Sequence, residues 1–468
     1  MAERGARTRR GGLNRREFLG MAAGAGLLTA GGSRLARAAT APTRLAAAVG
    51  GAKPFAGVTI NGAMFEHTFS AVLKEMVPEF EQRTGMKVNF ELQAFPVYNQ
   101  RADLELSTRG SAYDVLNITF IYSGRWIGAG WFTNLEEFIK DPNRTSPEWG
   151  ADDFMGGALA VFKNKKGDRF GFPWLGEAQV ATIARPDLIQ RAGLKIPETY
   201  DELMKVLAAV HDKDGVKAYV AQKLHHWLWI HFLHGFGGNV FKDPPENLTP
   251  TLDTPQAIQA AEFYGNILRT YAPEGVLSYT DDQMVTAQVQ GRANISMHSL
   301  PVEISLADPK KSKVYDKVAY VMVPAGPKGL FPGVASHGLG IPVGSRKKEA
   351  AWEFIKWALS KETIWRMVKE RDYTSSCRPS VLNHPDIKKE MTKNGVDLVA
   401  LATKVFEISE KGGYMKYRTV PVFPQVGDKI NKAIEVVTTR QMSAEAAMKQ
   451  AQAQAIADLK RAGVKIDS

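Results

Sequence analysis

Cysteine and long apolar runs are both scarce in this chain of 468 residues. Cys377 is the only cysteine, so a disulfide within the chain and a site built from several cysteines are excluded. After the first forty residues, no stretch approaches the roughly 20 apolar residues that a membrane helix requires. The sequence therefore predicts a body folded around an ordinary apolar core, with Cys377 as a packed core or loop residue.

Signatures of catalysis and of cofactor binding are also missing. The sequence has no phosphate-binding glycine loop with a lysine, no G-x-S-x-G and no H-E-x-x-H. Four of the nine histidines fall between residues 225 and 234, but no Asp or Glu occurs from Leu224 to Val240 and aromatic residues interleave instead. Because a metal site usually adds a carboxylate to histidines at helical spacing, we expect a buried aromatic-rich helix here, and no metal or cofactor.

Residues 1–39 have the pattern of an export signal. Arg15-Arg16-Glu17-Phe18-Leu19 resembles the twin-arginine signal, and the apolar run that follows is too short to span a bilayer. Ala36-Arg37-Ala38 offers small residues at the spacing that a signal peptidase cuts. We therefore predict a twin-arginine signal peptide over 1–39, a flexible leader over 40–55 and a mature protein in the periplasm; the alternative is a basic disordered tail.

The net charge of +11 is concentrated in this N-terminal segment. Removing the eight arginines and two glutamates of residues 1–39 leaves 52 basic and 47 acidic residues, a net charge of +5. A net charge of this size does not indicate a basic surface for binding nucleic acid or an anionic membrane. Nucleic acid is therefore not expected as a partner.

Strand and helix patterns alternate along the rest of the chain. A first short strand is expected to end at Asn61-Gly62, and apolar residues alternate with polar ones from Val88 to Leu92 as in a strand. A helix is predicted from Thr68 to Arg83, Thr199 and Glu202 form a capping box, and Ser345 is expected to cap a later helix. This alternation predicts an α/β fold with largely parallel sheets.

A series of short motifs carries a resemblance that extends from Val58 to Ala462. In chain order the motifs are Phe80–Val88 (FEQRTGMKV), Tyr113–Val115 (YDV), Gly128–Leu135 (GAGWFTNL), Gly171–Trp174 (GFPW), Pro186–Leu194 (PDLIQRAGL), Pro197–Leu203 (PETYDEL), Gly340–Val343 (GIPV) and Lys348–Ile355 (KEAAWEFI). Each motif is weak alone, but their order and spacing together are specific. The chain resembles the family 1 extracellular solute-binding proteins of ABC importers, the maltose-binding-protein-like group.

The sequence departs from the family pattern at two places. Ala184-Arg185 stands where the family usually has tyrosine and asparagine, and no aromatic residue follows the strand that ends in Met297. Both departures bear on which ligand is bound, and neither affects the expected fold.

The resemblance implies a type II periplasmic-binding-protein fold, in which two α/β lobes are joined by crossing strands and hold the ligand between them. We place the first lobe at 56–180 and 337–377 and the second at 181–336 and 378–468. The crossings are expected near 178–183, 334–338 and 375–379. Ligand binding would close the lobes by a hinge motion. The expected partners are a small ligand and the membrane subunits of an ABC permease, and the protein is expected to be a monomer.

A carbohydrate ligand would need aromatic rings for its C–H faces and polar groups for its hydroxyl rim. The resemblance places Glu177 at a ligand-binding glutamate of the family, and Trp227 and Trp229 where the family has sugar-stacking aromatics. The candidate ligand-binding residues are Phe65, Glu66, His67, Asn117, Thr119, Tyr122, Trp174, Glu177, Trp227, Trp229, His298, His337 and Arg378. Of the two tryptophans at 227 and 229, only one is expected to reach the ligand, because on a helix they point in different directions.

Two other functions are weighed against carbohydrate or polyol binding. The same fold could bind a polyamine, a phosphorylated polyol or ferric iron, but no Tyr-Tyr pair for iron occurs and only Glu66 and Glu177 are evident as carboxylates for a polyamine. A secreted enzyme is the third possibility, and it lacks any catalytic motif. The sequence therefore favours a binding protein that is not an enzyme.

Overall fold

The fold is described from a computed structural model of the chain. The structure describes residues 53, 55–244, 246–371, 373–420 and 422–466. The predicted signal peptide at 1–39 lies outside the described residues, as does nearly all of the predicted leader at 40–55.

The strands form one large sheet and two small hairpins. In chain order they are β1 (Thr59–Phe65), β2 (Lys87–Gln93), β3 (Val115–Thr119), β4 (Gly171–Ile183), β5 (Lys217–Tyr219), β6 (Phe241–Asp243), β7 (Asn247–Pro250), β8 (Ala293–Ser299), β9 (Ala319–Val321), β10 (Val334–Gly340), β11 (Thr392–Lys393) and β12 (Val396–Asp397).

Helices fill most of the remaining described chain. They are α1 (Thr68–Thr84), α2 (Phe95–Ser107), α3 (Ser123–Gly128), α4 (Glu136–Lys140), α5 (Gly156–Leu159), α6 (Pro186–Arg191), α7 (Tyr200–Val210), α8 (His225–Leu228), α9 (Ile230–Gly235), α10 (Pro255–Tyr271), α11 (Asp281–Val289), α12 (Leu300–Glu303), α13 (Lys348–Ala358), α14 (Lys361–Arg371), α15 (Pro379–Leu382), α16 (Pro385–Glu390), α17 (Leu398–Lys411), α18 (Phe423–Thr438) and α19 (Ala444–Arg461). Short 3₁₀ helices occur at Pro147–Trp149, Ala160–Phe162, Val276–Ser278, Ile304–Ala307 and Tyr414–Thr419.

The large sheet has two parts that share the long strand β4. The strand order is β2-β1-β3-β10-β4-β8-β5, with β9 also paired to β4. Up to Ala178, β4 pairs with β10, and from Gln179 onward it pairs with β8. We call the part with β1, β2, β3 and β10 the first lobe, and the part with β5, β8 and β9 the second lobe. The exact lobe boundaries given above stay a prediction.

Pairing within the sheet is mixed, so the expectation of largely parallel sheets is wrong. The pairs β1–β2, β1–β3 and β5–β8 are parallel. The pairs around the crossing, β10–β3, β10–β4, β4–β8 and β4–β9, are antiparallel. The reason is topological: a chain that leaves one lobe along β4 and returns along β10 must run in opposite directions in these two strands.

A third segment joins the crossing at the middle of β4. The backbone N–H of Gly176 donates a hydrogen bond to the carbonyl oxygen of Ser375 at 2.9 Å. A side chain at Gly176 would have its Cβ 2.7 Å from Sγ of Cys377, so glycine is needed for this close approach. Three chain segments therefore meet where the two parts of the sheet join.

Most of the local structure predicted from the sequence is confirmed, and two predictions are wrong. Gly85 ends α1 in a left-handed conformation, and Thr199 and Glu202 form the predicted capping box. Strand β1 does not end at Asn61-Gly62, because Gly62 continues the parallel ladder opposite Phe90. Ser345 does not cap α13: its hydroxyl donates to Asp114 at 2.7 Å, and the helix begins at Lys348.

One continuous apolar core fills the space between the sheet and the helices, and Cys377 lies inside it with 2% of its surface exposed. Burial raises the pKa of the Cys377 thiol, which keeps the thiol protonated. Within the described ranges, no helix combines the length and the apolar character that crossing a bilayer requires.

Candidate functional site

The ends of β1, β3, β4 and β10 bring several predicted residues of the first lobe together. The Trp174 ring lies 5.6 Å from Phe65, 5.0 Å from His67 and 5.8 Å from His337, measured between centroids. The indole N–H of Trp174 donates to Oδ1 of Asn117 at 2.8 Å. These residues meet because β4 and β3 both pair with β10, which carries His337. We call Phe65, His67, Phe95, Phe120, Trp174 and His337 the aromatic group.

Burial keeps the two histidines of the aromatic group neutral. It lowers the pKa of His67 to about 4. Burial also lowers the pKa of His337 well below its ordinary value, and the nearby His67 adds to the effect. Nδ1 of His337 and Oγ1 of Thr119, its neighbour across the β3–β10 pair, are buried without a hydrogen-bond partner. This part of the site thus offers apolar ring surface and neutral polar atoms.

A second group of predicted residues lies where β4 meets β8. The rings of Trp227 and His298 are 4.9 Å apart in an edge-to-face arrangement. Nε2 of His298 forms an ion pair with Asp281 at 3.1 Å. Glu177 lies on β4 just before the residues that pair with Ser299 and His298. We call Glu177, Asp281, His298 and Glu303 the carboxylate–histidine group.

The members of this group shift one another's protonation. Burial alone would lower the pKa of His298, but Asp281, Glu303 and Glu177 outweigh it and raise that pKa. Burial raises the pKa of Glu177 to about 7, although the charge of His298 opposes the shift. Burial likewise raises the pKa of Glu303 to about 7, and its carboxylate accepts a short hydrogen bond from the Ser296 hydroxyl. The group therefore holds one His–Asp ion pair and two carboxyl groups that titrate near neutral pH.

Trp227 and Trp229 differ in what they face. Trp227 contacts His298, and its indole N–H has no hydrogen-bond partner. Trp229 is fully buried and its indole N–H likewise has no hydrogen-bond partner, but no ring neighbour is found for it among the described residues. Of the two, Trp227 is the one that lies beside the carboxylate–histidine group.

Three other predicted residues lie apart from both groups. Tyr122 stacks on Trp126 at the start of α3, with 5.2 Å between ring centroids. Glu66 is exposed at the end of β1. Arg378 is 1% exposed and binds within the first lobe, donating to the carbonyl oxygens of Leu359 at 2.6 Å and Gly150 at 3.1 Å. The Arg378 side chain is therefore held by the backbone of the first lobe and by the Asp153 carboxylate.

Sequence reasoning missed three residues that the fold brings to the site. Asp281 begins α11, and its carboxylate pairs with His298. Glu303 and Arg418 were not singled out, and both are fully buried. No sequence signal joins these residues to the site, because the pairing depends on how α11, α12 and the segment after α17 are packed.

The four histidines on α8 and α9 have separate environments. His226 lies beside Asn431 on α18, with Nδ1 3.2 Å from Oδ1, while His231 contacts the Gln179 amide at 3.2 Å and His234 the Gly238 carbonyl oxygen at 3.0 Å. Across the part of the chain that the structure describes, no three His, Cys, Asp or Glu side chains are arranged to hold a metal ion.

The sequence and the fold of this chain are similar to those of known proteins. Residues 67–364 match the family described as bacterial extracellular solute-binding protein. The chain belongs to this family. The match begins just after β1 and includes all of β2, β3, β4, β8 and β10.

Several members of this family bind sugar alcohols. The mannitol-binding protein of Pseudomonas aeruginosa is 24% identical over 78% of this chain and 85% of its own length. A solute-binding protein from Agrobacterium radiobacter K84, solved with ribitol, is 25% identical with a TM-score of 0.74 and covers 86% of this chain and 99% of its own. One from Agrobacterium vitis S4, solved with D-mannitol, has a TM-score of 0.73 at 20% identity over 86% and 99% of the two chains. The fold is therefore the two-lobed fold of periplasmic solute-binding proteins.

Proposed function

We propose that this protein is the extracytoplasmic solute-binding component of an ABC transporter and that it binds a carbohydrate or a polyol between its lobes. The observation that carries the proposal is the set of side chains at the lobe junction: Trp227, His298 and Glu177 lie together, and each offers an apolar face or a polar atom. Sugar and polyol ligands need this combination.

The two groups of the site have complementary roles in this proposal. The aromatic group supplies apolar surface for C–H atoms, with the neutral histidines as donors or acceptors at its edge. The carboxylate–histidine group binds hydroxyl groups, since ionised carboxylates accept strong hydrogen bonds from hydroxyl donors. The ligands named for the relatives, mannitol and ribitol, have a hydroxyl group on every carbon and support this assignment.

We assign the protein a binding role rather than a catalytic one. A polar cluster of carboxylates and a histidine could in principle catalyse a hydrolysis. Membership of a solute-binding family argues for capture and release instead. The ion pair between His298 and Asp281 then serves to orient the imidazole ring beside Trp227.

We also propose that the protein is exported to the periplasm by the twin-arginine route. There it would deliver its ligand to an ABC permease as a monomer. The route rests on Arg15 and Arg16 in the sequence. Replacing both with lysine is expected to leave the precursor in the cytoplasm, measured by cell fractionation and immunoblotting. Normal accumulation of the double variant in the periplasm would overturn the assigned route.

Ligand binding is tested by thermal shift and isothermal titration of the mature chain against mannitol, ribitol, glucitol, erythritol and maltose. A ligand that binds only the folded state raises Tm, so we expect at least one polyol or sugar to do so. Trp357→Ala serves as the control variant, since Trp357 packs on Phe80 and Phe354 away from the site. It should keep the wild-type affinity.

Three results would contradict the proposal. Binding of polyamines or metal ions without any sugar or polyol would indicate a different solute. Turnover of a substrate by the purified protein would indicate an enzyme. Sugar binding that survives simultaneous replacement of Trp227 and Glu177 would mean that the ligand binds elsewhere.

A further inference from the structure

Arg418 is a fully buried cation without a hydrogen-bond acceptor. Its side chain has 0% exposure, and Nε, Nη1 and Nη2 all lack a partner. Within the described part of the chain, no side chain or backbone oxygen accepts a hydrogen bond from these nitrogen atoms. A guanidinium group stays protonated in proteins and carries five N–H donors, and burying such a group without an acceptor is costly.

The neighbours of Arg418 are aromatic rings, which attract its positive charge without supplying a counter-ion. The guanidinium carbon lies 4.8 Å from the Phe120 ring centre, 4.9 Å from Tyr417 and 4.5 Å from Phe423. Aromatic faces attract a cation through their quadrupole. The N–H groups of the guanidinium have no acceptor among the described residues, so they are available to an acceptor on a bound solute.

Arg418 lies between the two lobes, next to the aromatic group. Phe120 directly follows β3 in the first lobe, and its ring is 5.2 Å from His337. Phe423 begins α18, which packs against α10 and α8 on the second-lobe side. The segment Tyr414–Thr419 also packs against α3 of the first lobe. Separation of the lobes would therefore uncover the guanidinium group, and closure would bury it with the ligand.

No carboxylate of the site neutralises this cation. Glu177 and Glu303 respond to His298 and Asp281, and Arg418 is not among the charges that shift the pKa of either. The titratable groups that respond to Arg418 are His226, whose pKa is lowered by burial and by this positive charge, and Tyr414. Both are neutral at neutral pH, so the positive charge of Arg418 is uncompensated.

We propose that the bound solute carries an anionic oxygen group, a carboxylate or a phosphate ester on a sugar or polyol chain, and that Arg418 binds it. Arginine is suited to this role because its planar fork donates two parallel hydrogen bonds to such a group. The hydroxyl groups of the same solute would be bound by the carboxylate–histidine group. This inference rests on the proposed sugar or polyol binding. It narrows the expected ligand to a sugar or polyol that carries a carboxylate or a phosphate ester.

The test compares matched ligands on the wild-type protein by isothermal titration. The pairs are D-gluconate with D-glucitol and D-ribonate with ribitol, and D-glucitol 6-phosphate is the phosphate arm. We expect at least one acid or phosphate ester to bind about tenfold or more tightly than its neutral partner, a difference of about 1.4 kcal/mol. A preference for D-glucitol 6-phosphate over D-gluconate would support the phosphate ester, and the reverse would support the carboxylate.

Substitution of Arg418 shows whether the preference comes from this residue. Arg418→Met should remove the acid preference, and Arg418→Lys should retain only part of it, because lysine keeps the charge without the fork. The matched control is Arg366→Met, since Arg366 has its own partners in Glu79 and Glu370. The control should keep the full preference. If Arg418→Met does not fold, the wild-type comparison decides alone.

Two outcomes would overturn the inference in distinguishable ways. Neutral polyols that bind as tightly as their acids would show that no anionic group is bound, while leaving the proposed function intact. Failure of every polyol, sugar and acid to bind would remove both proposals together. An acid preference that persists in folded Arg418→Met would assign the anion to another residue.

Discussion

His337 and His298 are two buried histidines whose pKa values are shifted in opposite directions. They are 5% and 3% exposed, yet burial lowers the pKa of His337 while the pKa of His298 is raised. The difference lies in the neighbours: His337 is surrounded by aromatic rings, and His298 forms an ion pair with Asp281. Burial alone disfavours the charged form of an imidazole, and a neighbouring carboxylate favours it.

The same contrast separates the two groups to which these histidines belong. The aromatic group is uncharged, and its central residue, Trp174, is satisfied by packing and by Asn117. The carboxylate–histidine group is charged and titrates near neutral pH. Loss of a ring from the first group is therefore expected to reduce stability as well as affinity, and the second group is expected to govern the dependence on pH.

Replacing Trp174 should give the largest effect. Trp174 is fully buried and stacks on Phe69 with 4.7 Å between ring centroids, so Trp174→Ala is expected to lower the free energy of unfolding by about 3–5 kcal/mol. It should also weaken ligand binding at least about tenfold, because His67 and His337 pack on the indole. Urea unfolding and isothermal titration measure the two effects.

Trp352→Ala is the matched control for this variant. Trp352 is 1% exposed, and its indole N–H donates to Thr145 at 2.9 Å, so its loss should cost similar stability without any loss of affinity. Equal losses of affinity in the two variants would show that general destabilisation, rather than the aromatic group, weakens binding.

Replacing Trp227 should reduce ligand affinity more than stability, whereas replacing Trp174 should mainly reduce stability. Trp227→Ala removes the ring beside His298. It is expected to weaken ligand binding at least about tenfold, which corresponds to about 1.4 kcal/mol of binding free energy. Trp229→Ala should instead lower stability and leave the affinity near that of the wild type. A larger loss of affinity in Trp229→Ala than in Trp227→Ala would mean that Trp229, and not Trp227, contacts the ligand.

The carboxylate–histidine group should make the stability of the ligand-free protein fall as pH rises. Glu177 and Glu303 have pKa values of about 7 in the folded state against an ordinary value of 4.5, so the folded state holds more protons between these limits and loses stability through that range. The raised pKa of His298 acts in the same direction. Melting curves from about pH 5 to about pH 8 should show Tm falling by a few degrees from these groups.

Glu177→Gln tests this origin of the pH dependence. The variant should flatten the fall in Tm, whereas Glu137→Gln, which changes an exposed glutamate, should leave the fall unchanged. The same slope in wild type and Glu177→Gln would mean that Glu177 does not titrate in this range.

Cys377 should give the smallest effect although it lies beside the crossing. Its thiol is buried, and burial raises its pKa, so it is not a nucleophile at neutral pH. Cys377→Ser is expected to leave ligand affinity unchanged, measured by isothermal titration. Any loss of affinity would indicate that packing against Gly176 controls how the lobes close.

Local sequence signals were sufficient for much of the fold. The capping box at Thr199, the glycine that ends α1 and the alternation in β2 are each set by residues within a few positions of one another. The motif order identified the family and hence the two-lobed architecture, which the family match and the structural neighbours confirm. The antiparallel pairing at the crossing was not predicted, because strand direction depends on how distant segments are connected.

By itself the sequence determined the family and the class of fold, because these follow from short motifs in a fixed order. Only the tertiary structure decided which candidates share an environment: Trp174 joins His337 through β10, and Asp281 meets His298 through the packing of α11 on β8. It also revealed Arg418, whose neighbours Phe120 and Phe423 come from different lobes. The physical reason is that burial and charge pairing, which set protonation and polar satisfaction, depend on contacts between residues far apart in the chain.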